Sequence, residues 1–194
     1  MKQKIIMDLC SGTGEWSRPY KEAGYEVIEV EILRGGDVIL QEYEKIEVQG
    51  ILMAPPCDHF AGSGARWWKS KGPEALKSGL AIVDACLRQV ILYKPEWWVL
   101  ENPVGRLVHY LGKPKMYFHP YEYAGYAPDP ENEAYTKKTC LWGDFNIPVK
   151  RPVSPVQGSK IHKQQFSWDR TPDGFKVRAV TPRGFARAFF EANP

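Results

Sequence analysis

Four short apolar runs, each broken off by an acid, a glycine or a proline, constrain this chain more than any other feature. Residues 4–9 run into Cys-Ser-Gly-Thr-Gly, residues 25–31 end in an acid, Gly50 to Ala54 stops at Pro55-Pro56, and Trp97 to Leu100 stops at Glu101-Asn102-Pro103. Apolar runs of this length between turn residues read as buried strands. A helix is expected from about Glu15 to Ala23, closed by Gly24. A second is expected from Pro73 to Lys94, where Leu76, Leu80, Val83, Leu87, Val90 and Ile91 recur at steps of three and four. The order strand, helix, strand, strand, helix, strand predicts an α/β fold, a mostly parallel Rossmann-like sheet with helices on both faces. Ligands of such sheets bind beyond the carboxyl ends of the strands. Four polar motifs fall at those ends: Asp8 to Gly14, Glu31, Pro55-Pro56-Cys57 and Glu101-Asn102-Pro103.

After Gly112 the sequence turns aromatic and proline-rich, with strands expected near Met116 to Tyr123 and Thr139 to Trp142. A last helix is expected to begin at Thr181 as N-cap with Pro182 at its first position, carrying Phe185, Phe189 and Phe190 into the core. At 194 residues, 43% apolar and 25% charged, the chain is expected to form one soluble globular domain over 1–194. Disordered, collagen-like and membrane classes are excluded, because no apolar run approaches the roughly 20 residues of a span. The apolar stretch after Met-Lys-Gln-Lys meets Asp8 too soon for a signal-peptide core, so a cytoplasmic location is expected. Cys10, Cys57, Cys86 and Cys140 lie far apart without C-x-x-C spacing, so neither a metal site nor a disulfide framework is expected.

The net charge of +3 says little, but its distribution says more. Residues 1–50 hold 6 Lys and Arg against 10 Asp and Glu, whereas residues 146–178 hold 7 against 2. This basic and aperiodic stretch is the candidate polyanion-binding surface, within an insertion at about 139–177.

The strand-end residues suggest chemistry. Gly12 and Gly14 allow a tight turn against a ligand, beside the free N–H groups of a helix start. Glu31 stands where an acid grips ribose hydroxyls in nucleotide-type sites. Cys57 can serve as a nucleophile, since a thiolate attacks far more readily than a hydroxyl. Glu101, closing the next strand, can donate a proton or a hydrogen bond across the pocket. Ala61-Gly62-Ser63-Gly64 reads as a flexible loop able to close over a substrate.

In order along the chain, Asp8-Leu-Cys10-Ser-Gly12-Thr-Gly14, Gly-Asp37-Val38, Ala-Pro55-Pro56-Cys57 with Phe60 and Gly64, Glu101-Asn102-Pro103 and Arg178-x-x-Thr181-Pro-Arg183-x-x-Ala-Arg resemble the motifs of cytosine-5 DNA methyltransferases. The resemblance runs from Lys4 to about Phe190. It implies a class I methyltransferase fold and S-adenosylmethionine as methyl donor. Cys57 then matches the nucleophile and Glu101 the base-binding acid. Asp8, Cys10, Gly12, Gly14, Trp16, Glu31, Asp37, Val38 and Pro55 match cofactor positions, with Trp16 stacking on the adenine. Pro56, Phe60, Ser63, Asn102, Lys137, Lys138 and Arg183 fall at substrate positions. The chain departs from the pattern at Asp58, where the family has Gln, and at Pro103, where it has Val. Lys137-Lys138-Thr139 replaces an arginine-rich run, and the family's last motif has no counterpart before Pro194, so an open pocket and weak cofactor affinity are expected.

The resemblance implies DNA as partner, with RNA or a free nucleotide as alternatives, no membrane association, and a monomer. Two other readings stay open. One is an amino methyltransferase, although Ala54 and Cys57 stand where its motif needs a polar residue and an aromatic. The other is a binder that keeps the fold without catalysis.

Overall fold

The computed structural model describes residues 3–155 and 179–194. Six strands, β1 (Ile5–Leu9), β2 (Glu26–Val30), β3 (Gly50–Met53), β4 (Trp97–Pro103), β5 (Met116–Phe118) and β6 (Thr139–Asp144), form one sheet in the order β2-β1-β3-β4-β6-β5. The first four are parallel; β6 runs antiparallel to β4, and β5 to β6. The fold is therefore the expected Rossmann-like α/β sheet, with a reversed edge that hydropathy alone does not reveal.

Side-chain alternation sorts the core into two layers. Ile6, Leu52, Val99 and Leu141 face one side, where α1 (Arg18–Glu22) and α5 (Arg183–Ala192) pack with Tyr20, Phe185 and Phe189. Met7, Leu9, Ile51, Met53 and Leu100 face the other, against Val83 and Cys86 of α2 (Trp68–Tyr93). Because both faces are covered, the parallel strands are apolar almost throughout. Two further single-turn helices, α3 (Val108–Leu111) and α4 (Pro130–Glu133), lie in the connections. Among the described residues no helix is long and apolar enough to cross a membrane.

Four boundaries differ from expectation. The helix expected from Glu15 is only Arg18–Glu22, because Gly12 and Gly14 carry positive φ values of 55° and 74° and the chain is still turning through Ser17. Helix α2 begins before Pro73, at Trp68, and is broken at Gly72 (φ 72°), the left-handed conformation that glycine tolerates best. Helix α5 starts at Arg183 with Pro182, not Thr181, at the cap; Pro182 has no side-chain acceptor, and Glu133 supplies one instead. The expected strand from Met116 to Tyr123 stops at Phe118 and gives way to two short 3-10 turns. Residues 146–155 are irregular, as expected, and residues 156–178, with most of the basic insertion and Arg178, lie outside the described residues.

Candidate active site

The glycine turn grows out of β1. Cys10 has a positive φ of 56° and its N–H donates to Val30 O, which bends the chain over the end of β2. Gly12 N donates to Glu31 Oε2 at 2.8 Å, and Leu33 N donates to Glu31 Oε1 at 3.2 Å. The acid ending β2 is thus fixed against the turn following β1. A Cβ at Gly14 would meet only the movable end of the Glu29 side chain, so it is the positive φ that favours glycine there. Asp37 accepts from Ile39 N at 2.9 Å and Val38 is buried behind it.

Asp8 is buried beneath this turn. Ser17 Oγ donates to its Oδ2 at 2.5 Å, while Oδ1 has no hydrogen-bond partner. Burial pushes its carboxyl up to about 7, against the Ser17 hydrogen bond. Trp16 is only 2% exposed, its ring 6.1 Å from that of Phe185 and 5.8 Å from that of Phe189. The ring expected to stack on a cofactor therefore packs under the turn.

Beyond β3, Pro55 is buried, Pro56 is exposed and Cys57 is half-buried. The Cys57 carbonyl accepts from Phe60 N and Ala61 N, both at 2.9 Å, folding the segment into a tight turn with Phe60 in the core. Asn102 Nδ2 donates to Pro55 O at 2.9 Å, locking the ends of β3 and β4 together. The stretch expected as a flexible loop is partly a 3-10 helix (Gly62–Trp67), with Ser63 exposed on it. It is pinned by a bridge between Ala61 and Gly105 and by Gly62 N donating to Val104 O. None of the four cysteines is in a disulfide, and no group of three or more metal-ligating side chains occurs among the described residues.

Glu101 faces the α1/α5 side of the sheet, two residues beyond Val99. It lines a cleft with Phe118, Lys137, Thr139, Phe185 and residues 179–182. Burial raises its carboxyl above the ordinary range and Lys137 pulls it back. Lys137 thus sits in the cleft, while Lys138 is exposed with its Nζ 4.7 Å from the centre of the Tyr117 ring. Arg183 turns to Glu15, with 3.1 Å between Nε and Oε2.

Two contributors carry no signal in sequence spacing. Arg106 Nε donates to His59 O at 2.6 Å, its N–H donates to Phe60 O, and its guanidinium lies 4.6 Å from the Trp68 ring centre. Lys71 Nζ donates to Asp58 O at 2.7 Å, placing a cation beside the residue that follows Cys57. Burial, then Lys71 and Arg106, hold His59 below its ordinary pKa while Asp58 opposes them.

The residues at the glycine turn suit an adenosyl cofactor. Gly12 leaves open space beside the backbone, the Glu31 carboxylate is already oriented, and Ile32 and Leu33 beside it are 64% and 60% exposed, an apolar surface for a ring. No family model matches the chain. It is similar to the Type II methyltransferase M.AplI of Arthrospira platensis, 31% identical over 121 residues that cover 54% of this chain and 33% of that protein. The chain thus spans about a third of the length of the curated relative it matches. Among solved structures it is similar to a candidate DNA modification methyltransferase encoded within an E. coli prophage, with TM-score 0.46, 17% identity and coverage of 78% of this chain and 53% of that one. The Entamoeba histolytica methyltransferase EhMeth aligns with TM-score 0.43 and 13% identity over 88% of this chain and 62% of its own.

Proposed function

We propose that the protein methylates carbon 5 of cytosine in DNA. The observation that carries the reading is the lock between Pro55 and Asn102, which holds the Cys57 turn and the Glu101 strand side by side at the carboxyl edge of the sheet, next to the glycine turn. The Cys57 thiolate adds to carbon 6 of the ring. Glu101 holds ring nitrogen 3 and the exocyclic amine; its raised pKa favours the neutral carboxyl that donates to the nitrogen while its carbonyl oxygen accepts from the amine. Addition of the thiolate makes carbon 5 electron-rich. Carbon 5 takes the donor's methyl group, its proton passes to solvent water, and expulsion of the Cys57 thiolate restores the aromatic ring. S-adenosylmethionine would be held at Gly12, Gly14, Glu31, Asp37 and Val38 and would supply an electrophilic methyl group, with S-adenosylhomocysteine as the leaving product. The base must leave its stack to reach Cys57.

A duplex containing 5-fluorocytosine tests the covalent step, because fluorine cannot leave as the proton does. The wild-type protein with methyl donor should form a complex that survives denaturation, and Cys57→Ser should form none. Methylated product accumulating without a complex would point to amino methylation; absence of both would leave a non-catalytic binder. Parallel incubations with RNA and free nucleotides fix the substrate class.

A further inference from the structure

Arg183 opens α5 but reaches away from it. Its Nε lies 3.1 Å from Glu15 Oε2, while Glu15 Oε1 is held by Arg18. Glu15 is only 8% exposed, so its charge depends on these guanidiniums for compensation. On the other side, the Glu133 carboxylate accepts from the backbone N–H groups of Arg183 at 2.6 Å and Gly184 at 2.8 Å. Residues 179–182, immediately before Arg183, form one wall of the cleft that holds Glu101. Gly14, immediately before Glu15, belongs to the glycine turn. One side chain therefore spans from the wall of the cleft to the turn, and Trp16 packs on Phe185 and Phe189 beneath it.

We propose that Arg183, acting through Glu15, is a positioning residue that couples the two halves of the site, so that a ligand at the glycine turn tightens nucleic-acid binding at the Glu101 cleft. This rests on the functional reading above. Separating Arg183 from Glu15 would weaken the compensation of a buried carboxylate, so ordering of the turn is transmitted to the wall. A second ligand then meets a wall already ordered and loses less conformational entropy on binding. Linkage requires the effect to be reciprocal.

S-adenosylhomocysteine and a cytosine-containing duplex are suitable probes. In the wild-type protein each should tighten the other by the same factor, about tenfold. Arg183→Gln should bring that factor to within about twofold of unity while moving the separate affinities less, and Arg183→Lys should retain most of it. Glu15→Gln should lose as much, and the double variant no more than either single one. In the ligand-free protein, hydrogen exchange should show residues 11–17 and 179–186 losing protection together in Arg183→Gln. An unchanged factor in Arg183→Gln, no coupling in the wild type, or lost protection confined to 179–186 would overturn the proposal. Failure of the wild-type protein to bind either probe would instead overturn the functional reading, and the exchange experiment would still decide whether the two segments are joined.

Discussion

Asn102 donates its side-chain amide to the carbonyl of Pro55 from a fully buried position, joining the carboxyl ends of two parallel strands by one hydrogen bond. Asn102→Ala would leave that carbonyl without its partner. Loss of a buried hydrogen bond costs about 1–3 kcal/mol, which urea denaturation would register. If the bond also positions Cys57, methyl transfer should fall on the order of a hundredfold, as misplacement of a reacting group by about 1 Å does. An unchanged rate would separate the bond from catalysis.

Asp8 gives a pH dependence of defined sign. Its carboxyl titrates near 7 when folded against an ordinary 3.8. Below about 4 it is protonated in both states; between about 4 and 7 the folded protein holds a proton that the unfolded chain has lost. Stability should therefore decline as pH rises through that window and level off above it, by at most about 4 kcal/mol from this group. Asp8→Asn, which still accepts from Ser17, should remove that component. The denaturation midpoints of variant and wild type should diverge from pH 4 to 7 and then run parallel.

Glu133 acts as a cap supplied from 50 residues away. Glu133→Ala would strip the first two N–H groups of α5 of their acceptor. The expected loss is about 1–2 kcal/mol, in the range of helix-cap deletions, read as a lowered thermal midpoint.

The basic stretch from Lys150 onward gives a test of nucleic-acid contact. Lys150 is 2.5 Å from Glu122, and the Arg151 guanidinium lies 4.1 Å from the centre of the Tyr126 ring. Charge reversal at Lys150, Arg151, Lys160 and Lys163 should weaken binding. The loss should be similar across sequences, with a salt slope shallower by about 0.9 for each phosphate contact removed. Loss for one sequence alone would mean that these residues read bases.

The parallel strands and most of α2 were legible in the sequence because burial on two faces leaves an apolar run and burial on one leaves a period. Their ends were legible because turn residues interrupt those runs. The start of α5 was not, since Thr181 and Pro182 look like a cap locally while the acceptor used is Glu133. Lys137 and Lys138 look equivalent until the register of β6 sends one into the Glu101 cleft and the other to Tyr117. Arg106 and Lys71 sit in no periodic pattern, and their acceptors, the carbonyls of His59 and Asp58, are backbone atoms that sequence cannot nominate. Trp16 is a ring beside a glycine turn in the sequence; Phe185 and Phe189 arrive from the far end of the chain to cover it.

That late arrival bears on how the protein is made. Tyr20 donates its hydroxyl to Asn193 O at 2.8 Å, and Asn193 exchanges hydrogen bonds with Asn146 from a buried position. The layer formed by Ile6, Leu52 and Val99 is closed by Phe185, Ala188 and Phe189, which are synthesised well after β1, β3 and β4. A nascent chain can pair its first strands and lay α2 across one side, yet the opposite side stays bare and adhesive until residues 185–193 leave the ribosome. Protection of this face during translation, rather than the stability of the finished sheet, should set the yield of folded protein.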